Sequence, residues 1–244
     1  MASKRKLICE SVSKSFGGLL ALKNVTFYVD EQEIIGLIGP NGAGKTTLIN
    51  CITGFYKPDR GRILFDGRDI TNFKPHECCR LGLARTFQIP KPFPHMTPLQ
   101  NVMVGALAGR RRLSMGEAKK EAEKWLTILG LESKKDLPIK SLTIQELKIL
   151  ELARALATNP TFLLIDEVLA GLNPAESEAM IKILRELQYE YSLTILWVEH
   201  VVSAIMKNCT RVIVLNFGEV IADGSPMEVA RDKKVIDAYL GEEI

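Results

Sequence analysis

Gly39-Pro40-Asn41-Gly42-Ala43-Gly44-Lys45-Thr46 satisfies the pattern GxxxxGK[ST] at every defined position, and Thr47 follows with a second hydroxyl. The residues before it, Glu33-Ile34-Ile35-Gly36-Leu37-Ile38, form a compact apolar run that reads as a strand buried on both faces. The residues after it, 45–53, carry a helical pattern. Strand, glycine-rich loop and helix in that order are what a phosphate-binding loop requires. The glycines let the backbone curl so that successive N–H groups point at phosphate oxygens, and the helix adds its positive N-terminal end. Lys45 supplies a charge that β- and γ-phosphates can share, and Thr46 offers a hydroxyl to Mg²⁺.

Similar apolar runs recur at 162–165, 193–198 and 212–215, separated by helical patterns at 145–157, 174–191 and 201–207. Buried strands alternating with helices imply an α/β fold with a mostly parallel sheet. Shorter β-like stretches at 7–12, 25–29 and 63–65, the last followed by the turn pair Asp66-Gly67, suggest an attached antiparallel β layer. The character changes between 90 and 141. Pro90, Pro92, Pro94 and Pro98 break the chain, and then Ala118, Ala122, Trp125, Leu126 and Leu129 mark one face of an amphipathic helix. The reading is one domain over 1–244, with a nucleotide-binding α/β core at 1–89 and 142–244 and a helical subdomain inserted at 90–141.

The 244 residues are 46% hydrophobic and 25% charged, the balance of a globular protein that buries a full core. A formal charge of +3 gives no reason to expect nucleic acid or anionic lipid as the main partner. No apolar run approaches the ~20 residues needed to cross a bilayer, and no apolar stretch follows the basic residues of Met1-Ala2-Ser3-Lys4-Arg5-Lys6 as in a secretory signal. The chain therefore reads as soluble and intracellular. Its five cysteines are scattered and lack CxxC spacing, so they read as reduced thiols. His76, Cys78 and Cys79 have no second ligand cluster to make them a metal site. Arg110-Arg111-Arg112 reads as a solvated loop.

A second site element is Phe162-Leu163-Leu164-Ile165-Asp166-Glu167, which ends a buried strand in two carboxylates. Ligands of open α/β sheets bind outside such strand ends. One carboxylate can hold magnesium through water while its neighbour orients or deprotonates the attacking water.

With these elements in place, essentially the whole chain resembles the ATP-binding cassette (ABC) ATPases. The resemblance implies that Gln88, in Arg85-Thr86-Phe87-Gln88, is the Q-loop glutamine that senses Mg²⁺ and water. It implies that His200 is the switch histidine that contacts the γ-phosphate, and that Phe16 is the aromatic that stacks on adenine. It assigns Glu167 as general base, and Thr46, Gln88 and Asp166 to the metal. Within this superfamily the chain is most similar to ATPase subunits of branched-chain amino acid importers. That likeness is carried by Phe16-Gly17-Gly18-Leu19-Leu20-Ala21-Leu22, Asn50-Cys51-Ile52-Thr53-Gly54-Phe55-Tyr56-Lys57-Pro58, Ala170-Gly171-Leu172-Asn173-Pro174 and the tail Tyr239-Leu240-Gly241-Glu242. ATPases of lipopolysaccharide export share a similar tail and are the alternative, together with non-transport ABC ATPases.

The family signature LSGGQ aligns with Leu142-Thr143-Ile144-Gln145-Glu146. Thr143 keeps a hydroxyl for the γ-phosphate of the opposing subunit, but both glycines are absent, and Glu146 brings an unpaired negative charge towards the docking phosphate. Val168 replaces the proline usual after the catalytic glutamate. The resemblance further implies a second ABC ATPase subunit (identical or not), two membrane-spanning permeases and, indirectly, a substrate-binding protein. It places the chain in the cytoplasm, peripheral on the inner face of the cell membrane. An ordinary P-loop kinase is the third class, but it would need neither Gln88 nor His200.

Overall fold

The computed structural model describes residues 4–240. Met1-Ala2-Ser3 and the Gly241-Glu242 end of the tail lie outside the described residues. In chain order the elements are β1 (Arg5–Phe16), β2 (Leu19–Asp30), β3 (Ile34–Ile38), α1 (Lys45–Ile52), β4 (Arg60–Phe65), β5 (Arg68–Asp69), α2 (Pro75–Leu81), β6 (Leu83–Arg85), α3 (Pro98–Ala108) and α4 (Met115–Ile128). There follow α5 (Ile144–Ala157), β7 (Phe162–Asp166), α6 (Pro174–Tyr191), β8 (Thr194–Val198), α7 (Val202–Asn208), β9 (Arg211–Asn216), β10 (Glu219–Gly224), α8 (Pro226–Arg231) and α9 (Lys233–Leu240). Contacts divide the chain into two compact units, Met1–Pro75 with Leu193–Ile244, and His76–Ser192.

The first unit holds the expected antiparallel layer, an antiparallel sheet of order β2-β1-β4-β5. β1 and β2 form a hairpin about Gly17-Gly18 and run to twelve residues each, longer than the sequence suggested. Register shifts at several points in their pairing break the strict alternation that pattern reading relies on. The same unit carries β9-β3-β8, all parallel, with β10 antiparallel to β9. β3 is central here: Ile35, Leu37 and Ile38 are fully buried, as an apolar run flanked by two strands should be. On one face of β3, α7 comes so close that a Cβ on Gly36 would meet Ile205 Cγ2 at 2.2 Å.

In the second unit β6 and β7 pair in parallel, and the pairing continues through Thr86 N–H to Leu164 O at 2.9 Å. α3, α4 and α5 pack on one another. The face of α4 read from the sequence is the buried one: Ala118, Ala122, Trp125, Leu126 and Leu129 are all in the core. Pro98, one of the chain breakers, is the first residue of α3 behind the N-cap Thr97, where a missing N–H is no loss. α5 contacts α3, α4 and β6 together. The contacts therefore group the strand ending in Asp166 with the helical segment, whereas the sequence reading grouped it with the phosphate loop.

The close approach at Gly36 yields a direct test. Replacing Gly36 by Ala forces a methyl into the buried β3–α7 contact and is expected to destabilise the protein by about 1–3 kcal/mol. Scanning calorimetry should record this as a lower melting midpoint, and an unchanged midpoint would refute the described packing.

Candidate nucleotide-binding site

The loop at 39–44 leaves the C-terminal end of β3 and enters α1 through Gly44, whose φ of 102° lies in the left-handed region. A side chain there would also strike Ala21 O at 2.6 Å, so both backbone and space call for glycine. α3, α4, α5, α6 and α8 each close their N-terminus with a capping box. α1 has no side-chain cap and no acid in its first turn, so its positive end is not neutralised by its own side chains. Lys45 is buried, and its ammonium sits inside the loop, donating to Gly39 O at 2.6 Å and Pro40 O at 3.0 Å. Asn41 and Gly42 are exposed, Ala43 is packed in the core, and Thr46 is exposed with Thr47 half-buried.

His200 follows β8, the parallel neighbour of β3, with Leu37 paired to Val198. The phosphate loop and His200 thus emerge at the same ends of adjacent strands, where α/β sheets place their ligands. His200 is exposed, and its carbonyl accepts from Val202 N–H at 2.9 Å. Beside it Glu199 is buried and receives Trp197 Nε1–H at 3.3 Å. Phe16 ends β1 and is 41% exposed, which excludes a core role. Its ring meets Tyr56 edge-on at 5.1 Å, and Lys14 Nζ lies 5.5 Å from the ring centre. An open aromatic face of this kind suits a purine.

In the second unit the structure brings Gln88 and Glu167 together: Gln88 Nε2 donates to Glu167 Oε2 in a short contact. Glu167 has a φ of 50°, an uncommon conformation for a side-chain-bearing residue and one that functional turns retain when their surroundings enforce it. The enforcing group is Lys148 of α5, a buried ammonium that donates to Glu167 O at 3.2 Å and Val168 O at 2.8 Å. Asp166 is equally buried, and its Oδ2 accepts from Arg85 Nη2 at 2.8 Å. Thr86 Oγ1 accepts from Asp166 N–H at 3.3 Å. The proposed metal donors are hard oxygens of the kind Mg²⁺ takes: the Thr46 hydroxyl in the first unit, and the Gln88 amide oxygen and the Asp166 carboxylate in the second.

The signature segment requires a correction. Glu146 does not carry an unpaired charge. It forms an ion pair with Lys134, and its Oε2 accepts from Thr143 N–H at 2.9 Å in the capping box of α5. The Lys134 hydrogen bond, helped by Thr143 N–H, holds the Glu146 carboxyl below its ordinary range. Thr143 Oγ1 accepts from Glu146 N–H at 3.2 Å, and the Thr143 hydroxyl also helps to hold the Glu146 carboxyl low. What does depart from a phosphate-binding helix start is Ile144, whose side chain is 62% exposed where the signature has glycine. Asn173 has a local role as N-cap of α6, accepting from Glu176 N–H at 2.9 Å.

Sequence reading missed Arg85, Lys134 and Lys148. Arg85 sat in a quoted motif, but its partner lies 81 positions away, so only the fold discloses its role. Among the described residues no helix is long and apolar enough to cross a membrane.

Residues 22–170 match the family described as ABC transporter, and residues 219–244 match the family described as branched-chain amino acid ATP-binding cassette transporter. The high-affinity branched-chain amino acid transport ATP-binding protein BraF of Pseudomonas aeruginosa is 37% identical, over 98% of this chain and 99% of its own. Among solved structures, the ADP conformation of MJ1267, an ATP-binding cassette of an ABC transporter, superposes with a TM-score of 0.89 at 33% identity, over 98% of this chain and 100% of that one. The ATP-binding cassette MJ0796, dimeric in a post-hydrolysis state with ADP and Pi, gives 0.81 at 27% identity, over 90% and 98%. With the phosphate loop after β3, the carboxylate pair at the end of β7 and relatives matching up to 98% of its length, the chain belongs to the ABC transporter family, as an ATP-hydrolysing subunit with the P-loop α/β fold.

Proposed function

We propose that this subunit drives import of branched-chain or other hydrophobic amino acids. The observation that carries the cargo class is likeness over nearly the full chain to a branched-chain amino acid transport ATP-binding protein, reinforced at residues 219–244 by a second matching family. The working unit would pair this chain with a second ABC ATPase, a reading supported by the dimeric MJ0796 cassette. Two permeases would supply the membrane path and a binding protein the cargo, with this chain peripheral on the cytoplasmic face. Residues 90–141 would be the helical subdomain that meets the permeases, and the remainder the nucleotide-binding core.

The chemistry is in-line attack of water on the γ-phosphate. Backbone N–H groups of residues 41–47 cradle the phosphates, with the Lys45 ammonium sharing their charge. Phe16 stacks on the adenine. Glu167 takes the proton from the attacking water, held in place by the Gln88 amide. His200 donates to the γ-phosphate as its charge grows. Thr46, Gln88 and Asp166 are the residues that would hold Mg²⁺, which when bound would supply positive charge against the phosphates. Thr143 would serve the nucleotide of the opposing subunit.

Replacing Glu167 by Gln keeps shape and removes the base. Loss of a general base costs about 10²–10⁴ in rate, so phosphate release should fall by at least ~100-fold while nucleotide affinity persists. Undiminished release would remove Glu167 from this role. The signature segment adds a second expectation. Because Glu146 is already paired, the steric departure at 144–145 is what weakens the opposing site. The double replacement Ile144→Gly and Gln145→Gly should therefore raise turnover of the nucleotide held by the partner, measured in a dimer whose other site is inactivated. An unchanged single-site rate there would contradict it.

A further inference from the structure

Residues 85–88, Arg-Thr-Phe-Gln, run beside the stretch that ends in the two carboxylates and hold it at successive points. Arg85 stands in register with Leu164 in the parallel β6–β7 ladder. Thr86 N–H donates to Leu164 O at 2.9 Å, and Asp166 N–H donates to Thr86 Oγ1 at 3.3 Å. Arg85 Nη2 donates to Asp166 Oδ2 at 2.8 Å, and Gln88 Nε2 donates to Glu167 Oε2. Both carboxylates are therefore gripped by side chains of this one segment.

Arg85 differs from the rest of the segment because it brings a full charge into the interior. Its side chain is 9% exposed and that of Asp166 is 7% exposed. Two buried charges recover their lost hydration only where their geometry is good, and an apolar pair of similar volume often serves stability as well. The geometry here constrains the guanidinium twice. One nitrogen donates to Oδ2, and the central carbon lies 4.7 Å from the centre of the Phe87 ring, close enough for cation and ring to attract. A planar guanidinium braced in this way gives the carboxylate it grips a fixed direction. A lysine ammonium on its flexible stem does not.

We propose that Arg85 is a positioning residue for the metal of ATP hydrolysis: braced on Phe87, it holds Oδ2 of Asp166 and so fixes the orientation in which that carboxylate serves Mg²⁺. Carboxylates that serve a metal are themselves oriented by hydrogen-bond partners, and loss of such a partner weakens metal binding by about 10–100-fold. The inference rests on the metal role given above to Asp166, and Asp166→Asn separates failure of that role from failure of this one.

The test is Arg85→Lys in the full chain, which keeps the buried charge and loses the planar grip. Mn²⁺ is the probe. Its affinity in the presence of ATP is read by paramagnetic resonance, and ATP affinity without metal by calorimetry. Arg85→Lys should weaken Mn²⁺ binding by about tenfold, in the same direction as Asp166→Asn, with metal-free ATP binding equal to the parent's. An ion pair that serves the fold alone would lower the melting midpoint and leave Mn²⁺ affinity at the parent's value, and that result overturns the proposal. Parental Mn²⁺ affinity in Asp166→Asn removes the metal role and the proposal with it. A second measurement needs no variant. In the unmodified protein, nuclear magnetic resonance of the Arg85 guanidinium should show slow rotation both before and after ATP and Mg²⁺ are added. Free rotation in the loaded protein would mean that the grip is released, and would also overturn the proposal.

Discussion

A lysine ammonium held inside its own backbone loop is the interaction on which the rest of this structure depends. Lys45 is six residues from Gly39 and five from Pro40, yet it donates to both carbonyls. That closure is open to a chain that leaves a strand buried from Ile35 to Ile38, turns through a left-handed glycine and enters a helix without a competing acid. The result is a glycine-rich turn closed around a buried positive charge beside an uncapped helix start, and a chain of linked phosphates is the ligand proposed for both.

The two compact units carry complementary chemistry. In one, the phosphate loop and His200 leave adjacent parallel strands, so the groups proposed to stabilise charge on a phosphoryl group arise from neighbouring points of a single sheet. In the other, Glu167 and Gln88 meet, and Lys148 of α5 holds the carbonyls of Glu167 and Val168. The second arrangement explains why the start of α5 departs so far from the family signature without loss of order. Its capping box and the pairing of Glu146 with Lys134 keep the helix end well formed. In the proposed dimer the departure would fall on the exposed Ile144, at the helix start assigned to the other subunit's nucleotide.

Much of this was legible in the sequence because the central strands are continuous apolar runs. Ile34–Ile38, Phe162–Asp166 and Thr194–Val198 needed no tertiary information to be read, and the loop and carboxylate pair stood at their ends. Other features were obscured for identifiable reasons. The hairpin strands β1 and β2 hide their alternation behind register shifts. α2 and β6 are short, at seven and three residues, below the span over which periodicity is visible. α8 did carry a readable signal, since Ser225-Pro226-Met227-Glu228 is a capping box with proline at its first position. Arg85, Lys134 and Lys148 act through partners distant in sequence or through backbone groups, and residue type alone names neither. The charge on Glu146 was misjudged for the same reason, because its partner Lys134 is twelve positions upstream, across the turns that precede α5.

The central claim is that the loop closed by Lys45 wraps a triphosphate, and titration calorimetry of the Lys45→Ala variant with ATP and Mg²⁺ tests it most directly. The parent should give a saturable heat of association that the variant loses. A variant that retains the parent's heat would contradict the account.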